Sequence, residues 1–219
     1  MLKIIPAILS NSKDEVCKLL SICESQVDRV QIDVVDNQFA KNVTIDPLVI
    51  ADYKTKLFLD YHLMVCDPYS WVKKCVKANA DRIIGQIEMM DNQVEFIDVV
   101  TSFKKEVGLA IDIDTDIAEI DDLAIDDIDV VLIMSVKAGF GGQKFQEKAL
   151  EKIEKLAEIR QNYNYAYLIC VDGGINSDNI HKVYQAGADE VCIGRSLFNG
   201  EISENIENLK NVLTYESNR

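Results

Sequence analysis

Lys77-Ala78-Asn79-Ala80-Asp81-Arg82-Ile83-Ile84-Gly85 returns later in the chain as Gln185-Ala186-Gly187-Ala188-Asp189-Glu190-Val191-Cys192-Ile193-Gly194. Both segments read as the end of a helix, a tight turn and the start of a strand, the αβ loop of a repeated unit. Working outward from them, apolar runs mark strands near residues 3–9, 29–34, 57–63, 82–87, 107–113, 130–134, 167–171 and 190–193. Amphipathic stretches lie between them at 14–23, 69–78, 94–105, 147–161, 179–186 and 202–213. The alternation recurs every 27 residues or so, which leaves room for eight units in 219 residues. The fold class it predicts is α/β, a single-domain TIM (β/α)8 barrel spanning residues 1–219. A doubly wound open sheet is the competing architecture, but no G-x-G-x-x-G follows the first strand to support it.

Composition agrees with one core. The chain is 48% apolar, has only three prolines (Pro6, Pro47 and Pro68) and contains no low-complexity segment that would mark a linker. A formal charge of -14 argues against nucleic acid and anionic membranes as partners, since both require clustered Lys and Arg. The acidic stretch 112–129 reads as a solvated helix face with its loops. The first residues lack the basic region and long apolar core of a signal peptide, and no segment reaches transmembrane length. Six cysteines, at 17, 23, 66, 75, 170 and 192, show neither a C-x-x-C pair nor zinc-finger spacing. Most are expected to be reduced core or helix residues of a cytoplasmic protein.

In a TIM barrel the chemistry sits where strands end, so polar residues at those positions carry functional weight. They are Ser10, Asp33 with Asp36, His62 with Met64, Gln86 with Glu88, Asp112, Met134 with Ser135, Asp172, and Gly194 to Ser196. Asp33 and Asp172 end strands two and seven, which can face each other across the barrel mouth. A carboxylate on either side of one carbon atom suits proton exchange; each aspartate is equally readable as a helix N-cap or a loop residue. His62, beside Asp60, stands evenly between a structural role and ligation or acid–base work. Met64 and Met134 read first as core filler, and otherwise as a water-excluding lining. The run Met134-Ser135-Val136-Lys137-Ala138-Gly139-Phe140-Gly141-Gly142-Gln143 and the later Val171-Asp172-Gly173-Gly174 break strands into glycines before helices. Backbone N–H groups left open there take an anion, most often phosphate.

These segments together resemble the ribulose-phosphate 3-epimerase family. The resemblance is carried by Pro6-Ala7-Ile8-Leu9-Ser10, Ile32-Asp33-Val34-Val35-Asp36 with Phe39 and Asn42-Val43-Thr44, and Asp60-Tyr61-His62-Leu63-Met64-Val65. It continues through Met134-Ser135-Val136 with Gly139 to Phe145, and Val171-Asp172-Gly173-Gly174-Ile175-Asn176. It implies a barrel of the ribulose-phosphate-binding type and a cytoplasmic isomerase of the pentose phosphate pathway that interconverts ribulose 5-phosphate and xylulose 5-phosphate. Asp33 and Asp172 would carry the C3 proton on opposite faces of an enediolate. A divalent metal, often zinc, would be held by Asp33, His62, Asp172 and a second histidine. The sugar phosphate would meet Ser10, Met64 and Met134, with its phosphate in the loops of Gly141, Gly142, Gly173, Gly174, Gly194, Arg195 and Ser196. A homo-oligomer is the expected assembly.

Several positions depart from the family. Gln31 stands where the fourth ligand, a histidine, is expected; an amide oxygen is a harder donor, which shifts preference from zinc toward manganese, magnesium or an empty site. Ala7, Val35, Asn37 and Gln86 replace a serine, a methionine, a glycine and a histidine, and Lys137-Ala138 replaces Asn-Pro. Arg195, where serine is usual, either contacts phosphate or points to solvent. The competing function is therefore an impaired or retuned relative that binds a sugar phosphate, such as a ketohexose 6-phosphate, without the metal chemistry. A decarboxylase of the related barrels ranks third, because 60–65 lacks its Asp-x-Lys-x-x-Asp.

Overall fold

The computed structural model describes residues 2–216; Met1 and 217–219, part of the expected 1–219 domain, lie outside the described residues. Eight parallel strands close a barrel in sequence order. They are β1 (Lys3–Ile8), β2 (Arg29–Val35), β3 (Phe58–Met64), β4 (Arg82–Gln86), β5 (Glu106–Ile111), β6 (Val130–Met134), β7 (Leu168–Asp172) and β8 (Glu190–Ile193). The barrel is shut by β8 pairing with β1 from Lys3↔Glu190 to Pro6↔Ile193. Near-continuous apolar runs become strands here because both faces are buried. Ile5, Ala7, Ile84, Ala110, Leu132, Cys170 and Cys192 fill the interior, while Ile4, Ile32, Leu63, Ile83, Leu109, Ile133 and Val171 pack outward under the helices. Gly108 belongs to this interdigitation, since a Cβ there would lie 2.4 Å from Val130 Cγ1.

The six amphipathic stretches are the six helices: α1 (Lys13–Cys23), α2 (Val72–Lys77), α3 (Gln93–Ser102), α4 (Lys148–Tyr163), α5 (Ile180–Gln185) and α6 (Ile202–Glu216). Ser12 and Asn92 cap α1 and α3 through the N–H groups of Glu15 and Glu95. The β2–β3 and β5–β6 connections carry only the 3-10 turns Pro47–Ile50 and Ile117–Glu119. The expectation of a solvated helix face at 112–129 is thus corrected. Its acids are spent on turns, with Asp116 accepting from Ala118 N–H and Asp121 from Leu123 N–H, a local bonding pattern that competes with helix. Ile117, Ile120, Ala124, Ile125 and Ile128 between them are buried over the barrel wall.

The repeated motif has a physical cause. Asp81 donates its N–H to Leu59 O and accepts from Leu59 N–H through Oδ2. Asp129 does the same with Val107, and Asp189 with Ile169. Each aspartate is a two-pronged clamp on the start of the preceding strand. The left-handed turn before the clamp uses Asn79 (φ 60°) in one copy and Gly187 (φ 114°) in the other.

At the N-terminal end of the barrel, inward side chains form a closed ion-pair layer. Arg29 Nη1 lies 2.8 Å from both Asp60 Oδ1 and Glu106 Oε2, and Arg82 Nη2 lies 2.5 Å from Asp60 Oδ2 and 2.7 Å from Glu190 Oε2. Burial pushes the Asp60 carboxyl up to about 6, while the two guanidiniums hold it below neutrality. Asp60 is thus taken up by Arg29 and Arg82 rather than by His62. Among the described residues no helix is long and apolar enough to cross a membrane.

Candidate active site

Alternation along β2 turns residues 29, 31, 33 and 35 inward, so Gln31 and Asp33 point into the barrel above the Arg29 layer. Parallel register sets His62 of β3 beside Asp33, and Cys192 of β8 beside Asp172 of β7. Ala7 of β1 stands beside Gln31. The result is a compact cluster at the C-terminal mouth. Gln31 Nε2 donates to Asp33 Oδ1 at 2.8 Å and to Asp172 Oδ2 at 2.6 Å, so one nitrogen bridges both carboxylates. The amide oxygen accepts from Cys192 Sγ at 3.0 Å, and burial raises the Cys192 thiol well above its ordinary value, keeping its proton in place.

Burial, followed by the adjacent Asp33 carboxylate, pushes Asp172 up to about 7; His62 and the Gln31 hydrogen bond pull the other way. Burial and the facing acid thus hold Asp172 toward its protonated form. His62 Nδ1 lies 3.4 Å from Asp33 Oδ1 and 3.9 Å from Asp172 Oδ2. On the other side of the ring, the hydrogen-bond network orients the Gln86 amide with its oxygen toward His62 Nε2 (3.2 Å) and its nitrogen toward Glu88 Oε2 (2.6 Å) and Ala110 O (3.2 Å). His62 Nε2 thus carries the hydrogen, and Nδ1, buried without a hydrogen-bond partner, turns a lone pair toward two acids. Such an atom fits a cation. One donor atom each from Asp33, His62 and Asp172 lie within 4.8 Å of one another, so these residues fit a divalent ion.

Met64 and Met134 are buried beside the cluster with Val35, Val136 and Ala138, an apolar collar at the mouth. Around it run the glycine loops. Gly142, Gly173 and Gly174 have positive φ, and a Cβ on Gly174 would meet Phe145 N at 2.4 Å, so the loop after β6 lies directly on the loop after β7. Among the described residues the N–H groups of Gly142, Gly174, Arg195 and Ser196 donate to no protein acceptor. The exposed Arg195 guanidinium lies against Gly141 and Gly142, close enough that a Cβ on Gly142 would meet Arg195 Cζ at 2.9 Å. Gly194 sits at the end of β8 beside Ala7 O.

Other polar strand-end residues serve the framework. Ser10 is buried, donates to the Glu15 carboxylate and accepts from Ser12 N–H. Asp36 accepts from Gln38, Phe39 and Cys66 N–H groups. Asp112 accepts from Ala138 N–H and pairs with Lys137 at 2.6 Å, and the Ser135 hydroxyl fastens the carbonyls of Asp172 and Gly173. Sequence reasoning named Thr44 only within the family resemblance and missed its role: its hydroxyl accepts from Val35 N–H and donates to Asp33 O, fixing the end of β2. It also missed Cys192 as the partner of Gln31.

Two facing acids in a barrel mouth are an arrangement suited to proton transfer on a (β/α)8 barrel, and kinship makes the class an isomerase. The chain belongs to the ribulose-phosphate 3 epimerase family, whose sequence profile matches residues 3–198. The ribulose-phosphate 3-epimerase of Chlamydia muridarum is 37% identical over 182 residues, covering 81% of this chain and 79% of that one. The corresponding enzyme of Buchnera aphidicola is 33% identical over 186 residues, covering 83% and 81%. Among solved structures, 3-keto-L-gulonate-6-phosphate decarboxylase from Vibrio cholerae superposes with a TM-score of 0.70 at 16% identity, over 98% of each chain. That likeness speaks for the barrel alone.

Proposed function

We propose that this protein interconverts ribulose 5-phosphate and xylulose 5-phosphate by moving the C3 proton between Asp33 and Asp172. The observation that supports the proposal is the single nitrogen bridged by both carboxylates, which brings an oxygen of each acid within 2.8 Å of one atom. One carboxylate removes the C3 proton and the C–H electron pair moves toward the C2 carbonyl, giving an enediolate. The other, protonated, returns a proton to the opposite face of C3, so no proton is gained or lost overall. Asp172, with its carboxyl near neutrality, is suited to the donor role in one direction and to the acceptor role in the other.

When bound by Asp33, His62 and Asp172, a divalent cation supplies positive charge next to the developing enediolate. Two carboxylates against one imidazole favour zinc less than a two-histidine set would, and open the site to manganese or magnesium. Met64 and Met134 exclude water from the reacting carbon, and Ser10, just past β1, would meet the substrate by giving up its bond to Glu15. The open N–H groups of Gly142, Gly174, Gly194, Arg195 and Ser196, backed by Gly141 and Gly173, receive the phosphate, with the Arg195 guanidinium as an added clamp. Six unpaired cysteines support a reducing compartment, the cytoplasm.

The test is solvent-deuterium exchange at C3 of ribulose 5-phosphate, with metal analysis of the purified protein and a parallel arm on a ketohexose 6-phosphate. Deuterium entering C3 of the pentulose phosphate is the expected result. Exchange only in the hexulose arm would move the substrate, and none in either arm with zinc, manganese and magnesium supplied would sink the reading. Gln31→His should raise zinc affinity by restoring a two-histidine, two-aspartate set; unchanged binding would move attention to Ala7, Val35 and Gln86.

A further inference from the structure

We propose that Gln31 is a two-position ligand: its amide nitrogen faces Asp33 and Asp172 when the site holds no cation, and its amide oxygen turns toward the cation when one binds. The proposal rests on the reading that Asp33, His62 and Asp172 take a divalent ion. Gln31 is completely buried, and every polar atom of its amide is engaged, the nitrogen with both carboxylates and the oxygen with Cys192 Sγ. Without a cation, the reverse orientation would set the amide oxygen against two carboxylate oxygens at separations of 2.6 and 2.8 Å. Charge therefore chooses the orientation. Packing does not, because the two ends of a primary amide are nearly equal in size.

A cation between the acids and His62 Nδ1 reverses that choice, since N–H groups repel it and a carbonyl oxygen is a ligand for it. Turning the amide sends its nitrogen to the Cys192 side, where a partner is needed because an unpaired buried N–H is costly. A thiol serves both orientations: sulfur donates to the amide oxygen in one and accepts from the amide nitrogen in the other. In the second state its hydrogen has a neighbour to go to, since Cys170 Sγ lies 3.5 Å from Cys192 Sγ in the barrel interior. Ala7, beside Gln31 in the register, offers no side-chain polar atom to compete for either end.

The experiment is a zinc titration of the full-length 15N-labelled protein at pH 8, read by the side-chain NH2 signals of Gln31 and by calorimetry. The Gln31→Leu variant, similar in shape, assigns the signals by their disappearance, and its circular dichroism confirms the fold. Zinc binding that moves the Gln31 NH2 pair away from its carboxylate-bonded position, with roughly tenfold weaker zinc binding in Gln31→Leu, is the expected result. Zinc that binds while the NH2 pair stays in place, or binds as tightly or more tightly to Gln31→Leu, overturns the switch and leaves the three-residue site standing. Failure of the wild-type protein to bind zinc, manganese or magnesium overturns the cation reading and the switch with it.

Discussion

The barrel holds two layers of buried charge, and they are built on opposite terms. In the lower layer the buried Asp60 and Glu190 are matched by Arg29 and Arg82 at ion-pair distance, and the third acid, Glu106, pairs with Arg29 while half exposed to solvent. In the upper layer Asp33 and Asp172 face a neutral amide and one imidazole, with no fixed cation between them. Burial raises a carboxyl in each, Asp60 to about 6 and Asp172 to about 7, so a raised acid by itself does not separate framework from chemistry. The missing counter-charge does. A layer whose buried acids each meet a guanidinium supports the fold, and one whose buried acids meet none is prepared for a proton, a cation or a substrate.

The contrast breaks first at Asp172. Asp172→Asn removes a proton carrier from the upper layer, and C3 deuterium exchange should fall by about 10²- to 10⁴-fold; a variant exchanging at the wild-type rate would show that the facing acids are not the machinery. Arg82→Ala tests the lower layer. It strands Asp60 and Glu190 as buried charges and should lower unfolding free energy by about 3–5 kcal/mol in urea titrations, with exchange per folded molecule retained.

A pH series sharpens the comparison further. Asp172 is near 3.8 when unfolded and about 7 when folded, so between those values the folded state holds the extra proton. Its contribution to stability is present at low pH and is lost as pH rises through about 7. The metal-free protein should lose stability over this window relative to Asp172→Asn, read as the difference between their melting curves. Parallel curves would remove the upper layer's distinction. The smallest effect is expected at Arg195, an arginine that, unlike Arg29 and Arg82, has no carboxylate partner among the described residues. Arg195→Met should raise KM for the sugar phosphate by roughly fivefold with little change in kcat, the loss of about 1 kcal/mol from a solvent-screened contact. A fall in kcat alone would place Arg195 elsewhere in the reaction.

The strands were legible because burial on both faces writes itself as uninterrupted apolar runs, and Asp33, His62 and Asp172 because they stand where such runs end. The stretch 112–129 misled because aspartates that fasten turns look, in a string of letters, like aspartates that face water. Gln31 was legible as a departure, but its geometry was not. Its oxygen meets a cysteine 161 positions away, and only the register of a closed barrel brings β8 to β2. Gln86 likewise stood out as a substitution, while its hold on His62 and Glu88 depends on how three neighbouring strands align.

The aspartate clamps bear on how the chain assembles. Each joins residues only 22, 22 or 20 positions apart, so β3 with β4, β5 with β6, and β7 with β8 can form as local parallel pairs with comparatively little loop entropy to overcome. The seam between β1 and β8 has no such shortcut, because Lys3 must find Glu190. On a growing or refolding chain β1 keeps an unpaired edge until the last strand arrives, a sticky flank in the intermediate. Pulse-labelled hydrogen exchange should find the clamp amides of Leu59, Val107 and Ile169 protected early and the β1–β8 seam protected last.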